Sequence, residues 1–377
     1  MWYMNEEREL LRKTFRDYAV KRVRPLGQEM ENEEIHAKSR EALLEMGKLG
    51  MFTLPVAEKF GGTGPDYISW ALLLEEIGRE SATFGFLTLL RQVFNGPMQA
   101  ACSPEQIEKF VKPAVNGEIL IGLAGNEPAG GNNLFEYQTR AVRDGNDWVI
   151  NGSKVLVTQA DEVDYFMVLA LTRDQVDFAT MAGIDMFFVP TSDPGFKVGH
   201  IEHKVGLNGS RTGSVYFNNC RVPDSCRMPN PMALLMLFGP ELSGYAAIAL
   251  GGAEAMIEKT ADYLKNRIQM GHSLWEMHQA TRHDLAKLKM DIYNFRNAVY
   301  GHMANRNAGI HDTLEAGALK AATGPLLEKV ASECMMLMGG TGVIHETGIE
   351  RYYRDAKALE IACFSDKTFV DNVANSL

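Results

Sequence analysis

The hydrophobic positions of this 377-residue chain follow a helical period at both ends and a strand-like pattern in the middle. Near the N-terminus, REALLEMGKLGMF and ISWALLLEEIGRE place apolar residues three and four positions apart, as one face of an α-helix does. Turn-forming residues in FGGTGPDY separate the two segments. In SPEQIEKFVKPAV we expect Ser103 to cap a helix whose first position is Pro104. Residues 1–118 are therefore predicted to form a helical domain.

The pattern changes in the next hundred residues. Short runs of β-branched or aromatic residues alternate there with turn residues, in DWVING, YFMVLALT, IDMFFVP and SVYFNNCRVP. Several short strands with turns between them are typical of a small β-sandwich or β-barrel. We assign this central β domain to residues 119–228.

The last third of the chain is predicted to be helical again. Three long segments carry the pattern: ELSGYAAIALGGAEAMIEKTADYLKNRIQMG, MHQATRHDLAKLKMDIYNFRNAVYGHMANRN and DTLEAGALKAATGPLLEKVASECMMLMGG. GGTG interrupts the pattern before a closing segment. Long antiparallel helices with short connections form bundles, so a four-helix bundle is expected over residues 229–377. The predicted fold class is α+β, with an N-terminal α-helical domain, a central β-barrel or β-sandwich domain and a C-terminal four-helix bundle.

Composition and charge exclude several classes of protein. A formal net charge of -10 argues against a surface for nucleic acid or anionic membranes, because either needs a basic face. No uncharged apolar run approaches the length of a membrane span, and acidic residues stand where a signal peptide needs an apolar core. The five cysteines include no C-x-x-C pair, which favours free thiols in a reducing compartment. We therefore expect a cytoplasmic protein without membrane insertion.

Seven segments of the chain, in order and with compatible spacing, resemble landmarks of the acyl-CoA dehydrogenase family. They are LAGNEPAGGNN, VINGSKVLVTQA, KVGLNGSRTGSVYFNNCRVP, NRIQMG, HQ, MLMGGTG and RDAK, and they cover essentially the whole chain. The resemblance implies FAD as cofactor, an acyl-CoA thioester as substrate and an electron-transfer flavoprotein as electron acceptor. It also implies a homodimer or a homotetramer.

The resemblance assigns positions around the cofactor. Asn126 and Thr158 would bond the flavin ring, and Gln279 and Gly340 would lie on the adenosine side. Arg267 would reach the FAD diphosphate, since a guanidinium matches paired phosphate oxygens. In the family, the positions of Arg267 and Gly340 can serve flavins of different subunits, so FAD binding implies at least a dimer. The alternative for Arg267 is an ordinary surface charge on a long helix.

The chain departs from the family pattern at several positions. Leu156 stands where the family usually has a tryptophan over the flavin, and Asn132 and Asn133 replace a Ser-Asp pair. Met336 replaces a glutamine, and Leu242 replaces a common arginine. These departures leave the exact substrate open.

The position of the catalytic base is the main question that the resemblance raises. Alignment on RDAK puts the family's most frequent catalytic glutamate on Cys363, whose alternative role is that of a small packed apolar residue. Removing the α-proton of a thioester requires a positioned base. Some members hold it at the first turn of a bundle helix, and their spacing back from Arg267 leads to Glu241, which we predict to be the base. A glutamate at a helix start also fits simple dipole stabilisation. The Cys363 backbone N–H, together with a flavin ribityl hydroxyl, would then polarise the thioester oxygen.

Three residues are expected at the acyl group. Arg91 is a charge in the otherwise apolar segment FLTLLRQVFNGP, from which the family lines the acyl pocket. A buried charge must be paired or serve a ligand, so either an internal salt bridge or a polar or anionic acyl group is expected as its partner. The resemblance assigns Asn132 and Phe238 to the substrate as well.

The predicted function is FAD-dependent α,β-dehydrogenation of an acyl-CoA thioester, with Glu241 taking the α-proton and the β-hydride going to flavin N5. One alternative is a family variant that performs other thioester chemistry: enoyl-CoA reduction, elimination, or oxidation of an acyl group on a carrier protein. The other is a flavin-free scaffold with the same fold. We expect no metal site.

Overall fold

The computed structural model describes residues 1–31, 38–131, 133, 136–174, 176–177, 182–228, 242–363 and 365–377. Three residues predicted to belong to the site, Asn132, Phe238 and Glu241, lie outside the described residues. The fold is α+β, with helical parts at both ends of the chain and a β-sheet between them.

The N-terminal part is helical, as its hydrophobic period predicts. Helix α4 (Tyr67–Glu80) is buried from Ile68 to Glu80, and it begins where the Asp66 carboxylate accepts hydrogen bonds from the backbone N–H groups of Ile68 and Ser69. Ser103 caps a short helix in a capping box with Gln106, which confirms the predicted cap. The α-helices are α1 (Glu6–Tyr18), α2 (Arg24–Glu29), α3 (Lys38–Lys48), α4 (Tyr67–Glu80), α5 (Ala82–Ala101), α6 (Pro104–Gln106) and α7 (Lys112–Val115), with π-helical turns at Ala19–Val23 and Ile107–Val111.

The central part is one eight-stranded sheet in the order β6-β7-β3-β2-β4-β5-β8, with β1 added parallel to β4. All four runs predicted to be strands are strands. The two longest, β3 and β7, pair antiparallel, and their register shifts between Lys154 and Val157. The strands are β1 (Ile121–Ala124), β2 (Arg140–Asp144), β3 (Asp147–Val157), β4 (Tyr165–Leu171), β5 (Ile184–Pro190), β6 (Phe196–Ile201), β7 (Gly213–Pro223) and β8 (Arg227–Met228).

The C-terminal part is a helical bundle, with two differences from the predicted helix boundaries. The first long helix ends at Asn266, because Met270 and Gly271 take left-handed backbone angles and close a hairpin of β9 (Ile268–Gln269) and β10 (His272–Ser273). A separate turn, α9 (Leu274–Met277), then precedes the second long helix. The remaining helices are α8 (Gly244–Asn266), α10 (Gln279–Asn307), α11 (Thr313–Met338), α12 (Ile349–Ile361) and α13 (Asp366–Ala374).

Helix α8 is central to the bundle. The sequence pattern suggested a helix that is amphipathic along its whole length, and the structure differs from this. Every residue from Gly244 to Ile257 is buried, because α8 packs against α4 and α5 of the N-terminal part. Glycines permit this close approach: a Cβ at Gly251 would collide with the Glu75 carbonyl oxygen, and one at Gly78 with the backbone of Ile248. The start of α8 is therefore held against both helices. Within the described residues, the helices are all too short or too polar to span a bilayer.

Candidate active site

A buried ion pair ties the loop after β1 to strand β3. The Lys154 side chain is fully buried and donates hydrogen bonds to the Gly125 carbonyl oxygen (2.9 Å) and to Oε1 of Glu127 (2.7 Å). The Glu127 carboxylate also accepts from the backbone N–H groups of Gln138 (2.6 Å) and Thr139 (3.1 Å). Both ends of the loop between Gly125 and Thr139 are therefore hydrogen-bonded to this ion pair.

The charges of this pair depend on each other. Burial alone would raise the pKa of Glu127, but the Lys154 ammonium and the two backbone donors lower it below its usual value. Burial lowers the pKa of Lys154 to about 8, although the Glu127 carboxylate acts in the opposite direction. At neutral pH both groups are ionised, and each is the other's main counter-charge.

Next to this pair, Asn126 and Thr158 flank an exposed apolar side chain. The Asn126 carbonyl oxygen accepts a hydrogen bond from the Val155 N–H (2.9 Å), and both Asn126 and Thr158 are half-buried. Leu156 lies between them at the register shift of β3, with φ of 54° and 60% of its surface exposed. An apolar face bordered by polar groups suits a planar aromatic ring. These residues therefore fit a flavin.

The loop after β6 packs against both the end of β3 and helix α12. The backbone N–H of Gln159 donates to the Ser210 carbonyl oxygen (3.3 Å), and the Leu207 N–H donates to Oδ1 of Asp355 (2.6 Å). Asp355 is fully buried, and this burial raises its pKa to about 6. Gly206 has no room for a Cβ, because one would collide with the Arg354 carbonyl oxygen. The RDAK segment of α12 is thus packed under the loop that follows β6.

Arg91 is 4% exposed, as the apolar character of its helix predicts. Its guanidinium donates to the Ile121 carbonyl oxygen at the start of β1. Burial lowers the pKa of Arg91 to about 9, and the charge of Glu162 partly offsets this. Glu162 in turn accepts hydrogen bonds from Ser39 Oγ (2.9 Å) and Gln159 Nε2 (3.0 Å). An internal carboxylate therefore influences Arg91, and selection of an acyl tail by Arg91 stays a prediction.

Cys363 and Tyr245 bring the last helical connection to the start of α8. Cys363 has φ of 70° and lies in the turn between α12 and α13. The residue is solvent-exposed, and desolvation by the surrounding protein raises the pKa of its thiol. The Tyr245 hydroxyl faces this thiol, and the Phe86 ring of α5 lies 6.0 Å from the Tyr245 ring.

The three residues predicted for the distant half of the cofactor lie on the surface of the C-terminal part. Arg267, Gln279 and Gly340 are all exposed. The Tyr263 hydroxyl and Thr341 Oγ1 are 3.3 Å apart, which places the end of α8 beside the Gly339–Val343 turn. Exposed apolar side chains accompany the group, namely Ile268, Met270, Met277, Met336, Val343 and Ile344.

The sequence alone did not point to Tyr245, Lys154 or Glu127. Tyr245 had a weak signal, because it is the only aromatic residue in the small-residue segment GYAAIALGGA. Lys154 and Glu127 had none, since a lysine and a glutamate 27 residues apart are ordinarily surface charges. Across the described ranges, we find no cluster of three or more histidine, cysteine, aspartate or glutamate side chains that could hold a metal ion.

Comparison with known proteins gives matches along nearly the whole chain. Residues 5–118, 122–220 and 236–375 match models of the N-terminal, middle and C-terminal domains of acyl-CoA dehydrogenases. The chain is 31% identical to an acyl-CoA dehydrogenase of Bacillus subtilis, over 95% of this chain and 94% of that protein.

Two solved structures share this fold over nearly their whole length. Butyryl-CoA dehydrogenase from Megasphaera elsdenii superposes with a TM-score of 0.90 at 27% identity, over 99% of this chain and 98% of that one. A chain in a structure of the electron transferring flavoprotein of Acidaminococcus fermentans gives a TM-score of 0.91 at 26% identity, over 100% of this chain and 99% of that one.

Proposed function

The chain belongs to the acyl-CoA dehydrogenase family, and we infer that it is an oxidoreductase that catalyses the FAD-dependent α,β-dehydrogenation of an acyl-CoA thioester. FAD, when bound, supplies the acceptor for the hydride that leaves the β-carbon. The remaining steps belong to side chains and backbone groups of this chain: holding the cofactor, polarising the thioester and taking the α-proton.

We propose that Glu241 takes the α-proton. One observation carries this assignment: the Tyr245 hydroxyl faces the Cys363 thiol. Tyr245 follows Glu241 by four residues, so the chain immediately after Glu241 reaches Cys363, the position where the family most often has its glutamate. Cys363 itself is poorly suited to be the base, because desolvation raises the pKa of its thiol above the ordinary value and keeps it protonated at neutral pH.

We propose that the backbone N–H of Cys363 holds the thioester oxygen. Among the described residues this N–H donates no hydrogen bond to another group. The left-handed φ of 70° turns the backbone out of the preceding helix. A fixed donor aimed at the developing negative charge stabilises the transition state, and a main-chain donor does not depend on the side chain at this position.

We propose that Asn126 and Thr158 contact the flavin ring and that Arg267, Gln279 and Gly340 hold the diphosphate and adenosine. The family resemblance implies that such a cofactor is shared between two copies of the chain. The exposed apolar side chains around Arg267 need a cover and support the same arrangement. We therefore propose a homodimer or homotetramer in the cytoplasm, with an electron-transfer flavoprotein as acceptor.

The test is anaerobic mixing of the purified holoenzyme with acyl-CoA thioesters while the flavin absorbance is followed. We expect the wild type to be yellow and to be bleached by at least one thioester. Glu241→Gln should retain FAD and its spectral response to acyl-CoA, while flavin reduction slows about 10²–10⁴-fold, the range for a lost general base. A colourless protein that FAD does not stabilise would favour the flavin-free scaffold instead.

Cys363→Ala is the matched control for the base. It removes the thiol but keeps the backbone N–H, so its flavin reduction should be slowed much less than that of Glu241→Gln. An inactive Cys363→Ala beside an active Glu241→Gln would move the chemistry to the cysteine. If neither variant changes the rate with any thioester, the protein does not use proton abstraction.

A further inference from the structure

A charged cavity lies where helices of the N-terminal part meet the bundle. Its volume is about 340 Å³, which is at the lower end for cavities that bind small molecules. It is open to solvent, since the side chains of Arg16 and Arg24 in its wall are 34% and 49% exposed. Five cations line it, from α1, α2, α4, α8 and α12: Arg16, Arg24, Arg79, Lys259 and Arg351. We name it the Lys259 cavity.

The wall of the Lys259 cavity carries more positive than negative charge. The carboxylates that line it are those of Glu80, Glu258 and Asp262. Five cations against three carboxylates leave an excess of two positive charges. Glu80 is already paired with two guanidinium groups, at 2.7 Å from Arg24 Nε and 3.1 Å from Arg16 Nη1, and Glu258 is paired with Arg79. The wall therefore lacks enough anions for its cations.

Lys259 has no counter-charge of its own. Its ammonium forms no hydrogen bond or ion pair with a described residue, including Asp262 one turn along α8. Desolvation, and then the charges of Arg351 and Arg24, lower the pKa of this ammonium, and Glu80 offsets only part of the effect. Nζ also lies 3.7 Å from the position that a Cβ of Gly348 would take, directly before α12. A helix N-terminus repels a cation and attracts an anion.

The Arg351 guanidinium is fixed in place by backbone groups. The residue is 6% exposed, and its Nη atoms donate to the carbonyl oxygens of Gly27 (3.0 Å) and Glu80 (2.8 Å). Carbonyl oxygens orient a guanidinium without neutralising it. Asp355 and Glu31 act on its charge but form no ion pair with it. A buried charge of this kind is stabilised by an anion that enters the cavity.

The Lys259 cavity is separate from the residues predicted to bind flavin and substrate. Tyr245 and Lys259 are 14 residues apart in α8, which is about 21 Å along a helix that rises 1.5 Å per residue. Arg267, which is predicted to reach the FAD diphosphate, follows Lys259 by eight residues, or about 12 Å on the same scale. The excess charge of the cavity therefore calls for a further ligand.

We propose that the Lys259 cavity binds a phosphate group, with Lys259 and Arg351 as its main partners. A phosphate monoester carries a charge of about -1.5 to -2 at pH 7, which matches the excess of two positive charges. A guanidinium binds paired phosphate oxygens, and an ammonium adds a compact charge with three donors. The ligand is either free phosphate or a small phosphorylated molecule. The inference does not rest on the proposed function, since it uses none of the residues assigned to the reaction.

The experiment measures the binding of inorganic phosphate and of glycerol 3-phosphate to the FAD-loaded protein, freed of excess FAD, by isothermal titration calorimetry. The ionic strength is held constant with chloride. We expect saturable binding of about one phosphate group per chain. Lys259→Met should weaken it at least about tenfold, the factor for one lost hydrogen bond between charged groups. Lys259→Arg should restore most of the affinity, because it restores the charge.

Lys21→Met is the matched control. Lys21 is an exposed lysine three residues before Arg24, and it does not line the cavity. Its removal changes the net charge of the protein by the same amount as Lys259→Met, so it should leave the affinity close to that of the wild type. An equal loss in both variants would show only a general effect of charge and would overturn the inference.

The other outcomes are equally definite. Tighter binding of glycerol 3-phosphate supports a phosphorylated molecule as the ligand, and tighter binding of inorganic phosphate supports the free ion. Absence of saturable binding of both probes, or equal affinity in wild type and Lys259→Met, overturns the inference. Loss of FAD from Lys259→Met also overturns it, because the cavity would then belong to the cofactor. Flavin reduction by acyl-CoA tests the proposed function separately, and its failure would leave phosphate binding unaffected.

Discussion

Replacing Lys154 by methionine tests how the loop that carries Asn126 is held. The buried Lys154–Glu127 pair contacts both ends of this loop, at the Gly125 carbonyl oxygen and at the backbone N–H groups of Gln138 and Thr139. Methionine keeps most of the length and the apolar contacts of lysine but removes the charge. The Glu127 carboxylate would then be buried with two backbone donors and no cation.

The expected cost follows from the burial of both partners. Removing one member of a buried ion pair usually destabilises a protein by about 3–5 kcal/mol, because the other charge stays buried and uncompensated. Folded proteins are stable by about 5–15 kcal/mol, so Lys154→Met should remove a large share of the stability of this protein. The loss should appear at pH 7, where Lys154 is charged because its pKa is about 8.

Urea denaturation of the apoprotein and the holoprotein measures this cost, and dialysis measures the retention of FAD. Lys154→Met should lower the unfolding midpoint and release FAD more readily, since the loop with Asn126 loses its anchor. The double variant Lys154→Met/Glu127→Gln should lose less than Lys154→Met alone, because the unpaired charge is gone.

Arg140→Met is the matched control from the same sheet. Arg140 pairs with Asp174 at 2.8 Å, but the two side chains are 50% and 92% exposed, so little stability should be lost. A Lys154→Met variant as stable as Arg140→Met would refute the argument and show that the loop is held by its backbone contacts alone.

Three further predictions concern single residues of the site. Arg267→Ala should weaken FAD retention by about 1.5–3 kcal/mol, the value of a hydrogen bond to a charged group, and unchanged flavin occupancy would count against a diphosphate contact. Arg91→Met should lower kcat/KM more for an acyl-CoA with a polar or anionic tail than for a plain chain of equal length, whereas equal losses would mean that Arg91 is structural. Asp355 has a folded-state pKa of about 6 against an ordinary 3.8, so its contribution to stability falls by about 3 kcal/mol as pH rises from about 4 to 6. In Asp355→Asn, denaturation midpoints measured across this range should lack that decline, and an unchanged pH profile would contradict the assignment.

The sequence was sufficient to predict the order of the three parts, because each part has its own hydrophobic period. The four predicted strands and the cap at Ser103 depend on local patterns and are present. The predicted helix boundaries were wrong where the local backbone conformation overrode the hydrophobic period. The helix predicted to run to Gly271 stops at Asn266, since left-handed residues at Met270 and Gly271 form a hairpin whose turn has no strong sequence signature.

From the sequence, residues of the candidate site could be proposed only where they lie in family motifs. Asn126, Thr158 and Arg267 lie in such motifs, whereas the Lys154–Glu127 pair depends on a contact that no spacing rule contains. The missing information is burial. Successive side chains of a strand point to opposite faces of the sheet, and the sequence does not say which face is covered. The 27-residue separation of the pair hides it further.

The contact between Tyr245 and Cys363 shows what the sequence alone hides at the centre of the site. A cysteine at position 363 looks like the loss of a carboxylate, but Tyr245, 118 residues away in the sequence, brings a hydroxyl close to the Cys363 thiol. A carboxylate at 363 would lie near the Tyr245 hydroxyl and near Lys320, whose charge Asp366 already balances. With a thiol there, the hydroxyl has no strong acceptor among the described residues. The substitution that removes a base at this position therefore also removes a strong acceptor for the Tyr245 hydroxyl.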